Sequence, residues 1–458
     1  MSSTSSSQSW ANQALADAIA EASCSRSALA RRVNEVALSH GVVTRYEAGS
    51  VKWWLRGRAP LEERAMFIAR ALSDYLGREV SPASLGFDDS DERHAVDRAL
   101  RYGEGPEAGL GTLGEFARAD LLDRTDLGAV PFVVSALADV ERQWLLWHAE
   151  TGDGAGADVP ERETGPAAEM ETVARAFAEV ESRFGGAGIR KPAVHYLSSQ
   201  VAPLVLHGRL PAGQRRRLLT VGAELSALAG WCSYDAGLYG VGQRYLVQAL
   251  RWCAEGGERA LGGQVLAGLA HLAVDRGDAA RGVDLARVGV VTSREAVCGP
   301  GLMRLYAMSA RGHAVLGRAR EAEEALKRAE SALGQGCGAG ECRWTRFLDG
   351  PCLETAAADC WLVLGDAGRA EKSAASAAES GGPGRRQVLG LTVLAAAQLH
   401  QARLDDALVS AGAALDQMEG LRSLRAVRAL RDFRSRLEPH AGERAVRAFL
   451  LRAAPLLD

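Results

Sequence analysis

The side chains with the most to offer chemically are crowded into one short stretch. Between Cys24 and Arg58, seven basic residues (Arg26, Arg31, Arg32, Arg45, Lys52, Arg56 and Arg58) stand against two acidic ones (Glu35 and Glu47), a local charge of +5 in a chain whose formal net charge is −3. A cation-rich patch inside a near-neutral protein is the electrostatic footprint of a surface that meets a polyanion, because each Lys or Arg set against a phosphate releases condensed counterions. Trp53 and Trp54 lie in the middle of the patch. Adjacent positions on a helix differ by about 100°, so only one of the two rings can face inward. Trp54 is assigned to the core and Trp53 to the outer surface.

Displaying such a patch requires rigid helices, and the composition supplies them. Apolar residues make up 47%, charged residues 24% and aromatics 6% of 458 residues, with strong helix formers prominent, so the fold class expected is all-α. After a Ser-rich, disordered 1–9, helices are expected near 10–22, 26–39, 48–56, 61–76 and 81–85, together forming one helical bundle over 10–88. The Gly-rich run over 102–114 marks a linker, taken as 89–114. A helical connector is expected over 115–216, broken by a polar stretch at 151–166, and helical repeats over 217–458.

No enzyme is indicated. The chain has no H-E-x-x-H, no G-x-S-x-G and no G-x-x-x-x-G-K-[ST]. Gly109-Leu-Gly111-Thr-Leu-Gly114 matches G-x-G-x-x-G, but the residues before it are Gly-, Glu- and Pro-rich rather than a buried strand, so no cofactor is expected. The eight cysteines include no C-x-x-C pair, which argues against a zinc site or a disulfide framework. Cys337, Cys342 and Cys352 gather near a Gly-rich loop at 334–342 and are read as ordinary thiols, with redox activity as the sharper alternative. The first ten residues lack the regions of a signal peptide and no apolar run reaches membrane length, so a cytoplasmic location is expected.

From residue 217 a helix–turn–helix unit recurs. Its turn residues Gly237, Gly277, Gly317, Gly365 and Ala402 stand 40, 40, 48 and 37 residues apart, somewhat above the period of about 34 in tetratricopeptide repeats, which each unit resembles. Seven positions before each turn stands a small residue (Gly230, Ala270, Ala310, Ala358, Ala395), and five after three of the turns stand Ala322, Ala370 and Ala407. Small residues are needed where paired helices touch. A pair near 421–437 and 440–456 would cap the array. Counting from the small residue places Glu224, Trp231, Tyr234, Gln264, His271, Arg304, Arg311 and Asp359 on the inner face, as candidates for binding a peptide or small-molecule effector. Arg304 and Arg311, one heptad apart, suit a carboxylate or an acidic peptide, unless internal acids already pair with them. The fifth unit turns Leu389, Ala396 and Leu399 inward, so the polar lining is expected to stop there.

Ser27-Ala-Leu-Ala-Arg-Arg-Val33 followed by Ser50-Val-Lys-Trp-Trp-Leu-Arg-Gly-Arg-Ala-Pro60 resembles the second and third helices of Xre-type helix-turn-helix domains. Extra residues near Glu35–Tyr46 lengthen the turn, and Trp53 replaces a polar residue. The whole chain resembles actinobacterial regulators of sporulation and secondary metabolism that join such a domain to a tetratricopeptide-like array, through SVKWWLRGRAP, residues 228–250 and residues 421–440. The resemblance implies that Glu47, Ala48, Gly49, Lys52 and Trp53 approach base edges. It places Ser50 near a phosphate, with Arg26, Arg31, Arg45, Arg56 and Arg58 holding the backbone of a double-stranded operator. A homodimer would read two half-sites. The competing class is a helical-repeat scaffold for proteins that does not read DNA sequence.

Overall fold

The side chains that start and stop helices are where the chain turns, and nearly every connection is short. The computed structural model describes residues 12–40, 42–56, 65–78, 80–87, 95–102, 106–122, 127–151, 165–337, 345, 347–380 and 384–457. Arg58, Cys342, residues 1–9 and most of the 151–166 stretch lie outside them. Among the described residues there are helices and turns but no strand, as expected for an all-α chain. Two units are separated at His94 and Ala95.

In the first unit, the helices are Gln13–Glu21, Arg26–Ser39, Ala48–Leu55 and Ala65–Leu76, followed by a 3-10 turn at Ala83–Leu85. Two of these starts are capped: the Asn12 side chain accepts the Leu15 N–H (3.0 Å) and Ser25 Oγ accepts the Ala28 N–H (3.2 Å). Leu15, Leu29, Val33, Val51, Ile68 and Leu72 are fully buried, and Ala30 is nearly so, as a close helix crossing demands.

The second unit corrects the expected linker. Residues 106–121 of the 89–114/115–216 boundary region form a helix, Pro106–Leu121, and the Gly111–Gly114 run lies inside it. Its packing partner explains why a Gly-rich sequence tolerates helix here. Polar side chains of the helix Tyr239–Gly256 reach out to the preceding chain: Arg244 donates to the carbonyls of Val96 (2.7 Å) and Pro131 (3.0 Å), Gln248 to Ala99 (2.8 Å), and Gln243 bonds both backbone groups of Val133. Tyr245 and Arg190 share the buried carboxylate of Asp120. The segment is fixed by tertiary bonds that composition does not reveal.

Five helix pairs follow, Ala212–Asp235 with Tyr239–Gly256, Arg259–Asp275 with Ala279–Ser293, Gly299–Val315 with Ala319–Gly334, Gly350–Val363 with Ala367–Ser380, and Arg385–His400 with Leu404–Asp416, and Leu424–Arg436 with Arg444–Leu457 ends the array. The expected turn residues all adopt positive φ: Gly237 79°, Gly277 92°, Gly317 71°, Gly365 81° and, without being glycine, Ala402 58°. In each, the next residue donates back across the turn, as Asp278 N–H does to Ala273 (2.9 Å) and Arg403 N–H to Gln398 (3.0 Å). Ala270, Ala310, Ala358, Ala395, Ala322, Ala370 and Ala407 are wholly buried. A Cβ on Gly230 would stand 2.9 Å from Leu246 Cγ. The longest spacing, between Gly317 and Gly365, holds the loop after Gly334.

The superhelix closes on itself. The helix Pro166–Phe184 packs on both Ala212–Asp235 and Arg385–His400. Around it the buried Asp235 carboxylate accepts from Ser423 Oγ (2.6 Å) and the Gly186 N–H (3.2 Å) and pairs with Arg385 (3.4 Å), which also holds Glu181 (2.6 Å). Arg422 N–H donates to the Phe184 carbonyl (2.9 Å). The C-terminal end of the array is thereby fastened to its first pair.

Candidate nucleic-acid interface and concave polar cluster

In the first unit, the expected recognition helix Ala48–Leu55 is set against the scaffold helix Arg26–Ser39 by Val51, Trp54 and Leu55, all buried. Trp54 is 4% exposed and Trp53 49%, which settles the inward and outward rings as assigned. The scaffold helix ends at Ser39 and the next begins at Ala48, close to the expected 26–39 and 48–56, so the first of the extra residues near Glu35–Tyr46 extend the helix and the rest belong to the connection. Asn34 pins this connection. Its side chain donates to the Tyr46 carbonyl (3.0 Å) and accepts from the Tyr46 N–H (2.9 Å) and Thr44 Oγ1 (2.8 Å), while the Tyr46 ring meets Trp54 edge-on at 5.0 Å. Sequence reasoning missed Asn34. An Asn in mid-helix, where it is a poor helix former, was the available signal.

Arg26, Arg31, Arg45, Lys52 and Arg56 are exposed, as are Glu47 and Gly49, with Ala48 and Ser50 half-buried. Ser50 Oγ accepts the Glu47 N–H (3.3 Å) in a capping box, so Glu47 and Ser50 start the helix as well as lining its outer end. Arg32 is drawn away into pairs with Asp74 (2.7 Å) and Glu35 (2.9 Å), and Arg31 stands 3.9 Å from Glu35. Arg45, Lys52 and Arg56 form no ion pair with any described residue; Arg56 stacks over the Trp53 ring at 5.6 Å.

In the second unit, the array brings Trp231, Tyr234, Gln264, His271, Arg304, Arg311 and Asp359 together on its concave side. Glu224 is half-buried and its charge acts on Cys253. At the centre is a loop of hydrogen bonds. Arg311 Nη2 donates to Asp275 Oδ1 (2.6 Å), and the Tyr234 hydroxyl donates to the other oxygen of Asp275 and lies 2.9 Å from His271 Nε2. Arg311 Nη1 stands 3.1 Å from His271 Nδ1 and 3.0 Å from Nε2. Because the Tyr234 hydroxyl donates to Asp275, a neutral ring donates to it through Nε2–H and leaves Nδ1 to accept from Arg311. Burial, then the Arg311 charge, pushes the His271 pKa well below its ordinary value. Burial alone would raise the Asp275 carboxyl, but the Arg311 charge, the Tyr234 hydroxyl and Arg425 pull it below its ordinary value. Burial pushes the Asp359 carboxyl up, against the pull of Arg311 and Arg425.

For Arg311 the alternative of an internal partner holds, since Asp275 pairs with it at 2.6 Å, and one expectation is corrected here. The polar lining does not stop at the fifth pair, because closure of the array returns Arg425 from the C-terminal helix to within 5.8 Å of the Trp231 ring and 5.6 Å of Tyr234. Asp275 and Arg425 were missed by counting repeat positions, Asp275 by a single place. Burial raises the Cys352 thiol, the opposite of what a reactive thiolate requires, and Cys337 is exposed. A shallow depression is lined by Ala138, Glu141, Arg142, Leu145, Leu146 and Arg281, with Glu141 and Arg281 paired at 2.8 Å.

Residues 15–88 match the SP15 N-terminal domain family. No curated protein and no solved structure matches the chain. No helix among the described residues is long and apolar enough to cross a membrane.

Proposed function

We propose that the chain is a sequence-specific DNA-binding transcriptional regulator that works as a homodimer in the cytoplasm, with Ala48–Leu55 as its recognition helix. The observation that carries this reading is the set of exposed cations Arg45, Lys52 and Arg56, with no ion pair among the described residues, on and beside a short helix whose other face is locked to a scaffold helix. A rigid helix with cations on its outer face fits the major groove, where Lys52 reaches guanine O6 and N7 and Glu47, Ala48, Gly49 and Trp53 lie nearest the other base edges. Arg26, Arg31, Arg45, Arg56 and Arg58 then neutralise phosphates and set register, with Ser50 beside them. Development or secondary metabolism as the regulated process follows the family resemblance in the sequence, and the concave cluster is the place where an effector would act. Dimerisation follows from reach, since one such domain reads a few base pairs and two read half-sites about 34–36 Å apart.

Selection from random duplex DNA with the full-length protein, followed by anisotropy titration at two salt concentrations, tests the reading. The expected result is one enriched motif with two half-sites and affinity that falls steeply with salt. Absence of any enriched motif overturns it in favour of a protein scaffold. Light scattering is expected to return twice the chain mass, and a monomer at micromolar concentration refutes the dimer.

A further inference from the structure

Two guanidinium groups on the concave face, Arg304 and Arg425, form no ion pair with a carboxylate among the described residues, although the Arg425 charge acts on Asp275 and Asp359. Arg304 meets Gln264 Oε1 at 3.5 Å, the outer limit of a hydrogen bond, and its Cζ lies 5.5 Å from the Trp231 ring centre and 6.0 Å from that of Phe347. Gln264 is itself held by donating to the Gly301 carbonyl (3.1 Å), which keeps its oxygen toward Arg304. Arg425 approaches the same Trp231 ring at 5.8 Å, so the two guanidinium carbons are no more than about 11 Å apart. Neither arginine forms an ion pair with a described residue, while Arg311 nearby is matched by Asp275. Both remain partly open to solvent, as does Trp231, and Phe347 is 45% exposed. Burial, with Arg425 adding to it, brings the Arg304 pKa down to about 10, which still leaves it charged at neutral pH.

Holding two like charges together in a sheltered place is unfavourable unless something of opposite sign completes them. Stacking on Trp231 offsets part of that cost for each arginine but does nothing for their mutual repulsion. We infer that Arg304 and Arg425 form a binding site for a ligand bearing an oxyanion, a carboxylate or a phosphate group, on the concave face of the repeat unit. The site needs the closed form of the array, because Arg425 stands two residues beyond Ser423, which fastens the closure. A bound ligand whose oxyanion groups reach both arginines therefore ties the third helix pair to the C-terminal helix.

The test uses the full chain without DNA, so a failure here leaves the DNA-binding reading standing and the reverse also holds. Calorimetric titration with sodium pyrophosphate, and separately with sodium succinate, should give saturable binding for at least one probe, with a rise in Tm at saturation. The probe that binds identifies phosphate or carboxylate as the preferred oxyanion. Arg304→Gln and Arg425→Gln should each weaken that binding about tenfold or more. Arg320→Gln, at an exposed arginine paired only with Glu324, should leave it unchanged. If the glutamine variants fail to fold, Arg304→Lys and Arg425→Lys keep the charge and lose the planar fork, and a drop of several-fold is expected. The inference is overturned if neither probe binds the wild type at millimolar concentration, if the arginine variants that fold bind as the wild type does, or if Arg320→Gln weakens binding as much as they do.

Discussion

Replacing His271 by Gln should flatten the acid limb of the protein's stability. In the folded state the ring is 5% exposed, with Nδ1 turned to Arg311 and Nε2 to the Tyr234 hydroxyl. Burial of a charged ring, and then the guanidinium facing it, push the folded pKa well below 6.5. The unfolded chain takes up that proton with a pKa near 6.5 and the folded chain does not, so stability is full above pH 6.5 and declines as pH drops below it. The decline approaches about 1.4 kcal/mol per pH unit, or about 2 kcal/mol in all by pH 5. Asp275, held below its ordinary value, stays ionised across this window and adds nothing to the slope. Burial also lowers the His313 pKa, which contributes with the same sign, but it is present in both proteins and cancels in the difference. Urea unfolding of wild type and His271→Gln at pH 7.5 and pH 5.0, followed by helical circular dichroism, measures the effect. The wild type should lose about 2 kcal/mol more than the variant between the two pH values. Equal losses would mean that the ring is protonated in the fold and that the hydrogen-bond loop is wrongly assigned.

The remaining predictions concern the other unit and the turns. Lys52→Ala should relax specificity at one operator position by about 1–3 kcal/mol, while Arg56→Ala should weaken all duplexes and reduce the salt slope by about one, both read by anisotropy on selected and random DNA. Asn34→Ala removes three hydrogen bonds at the turn and gains a little helix propensity, a net loss of about 2 kcal/mol in chemical denaturation. Ala402→Gly relieves a left-handed alanine and should stabilise by about 0.5–1 kcal/mol, whereas Gly317→Ala, whose Cβ would touch nothing, should destabilise by about 1 kcal/mol through its φ alone.

The parts of this molecule that repeat locally were legible in the sequence. A turn residue at positive φ and a small residue where helices cross are demands of one helix pair on itself, so Gly277 and Ala270 announce their roles within a few positions of each other. Even Ala402 could be placed, because its neighbours kept the spacing. Trp53 and Trp54 sorted themselves for the same reason, since a helix has two sides. What stayed hidden depends on partners far away in the chain. Residues 106–114 read as part of a Gly-rich linker because nothing nearby reveals the helix Tyr239–Gly256, whose Arg244 and Gln248 hold the residues just before them. Asp275 stands one place beyond the inner-face count, and only the structure brings its carboxylate to Arg311. Arg425 is one of many arginines between 421 and 440, and no spacing rule says that it returns to Trp231, almost two hundred residues earlier.

Closure of the array also changes how control would work. An effector alters an output only by binding one arrangement of the protein better than another. In an open solenoid, small rotations between successive pairs add up, and a continuum of arrangements lies within reach. Here Asp235, 1% exposed, takes bonds from Ser423, Gly186 and Arg385 at the junction of first pair and last. Pulling those groups apart partway would strand a buried carboxylate without its partners, a penalty of several kcal/mol, so intermediate openings are disfavoured and the junction is either made or broken. Arg425 rides on the helix that Ser423 begins, while Arg304 rides on the third pair. A ligand held by both favours the made junction by its full differential affinity, and a ligand held by one of them has no such leverage.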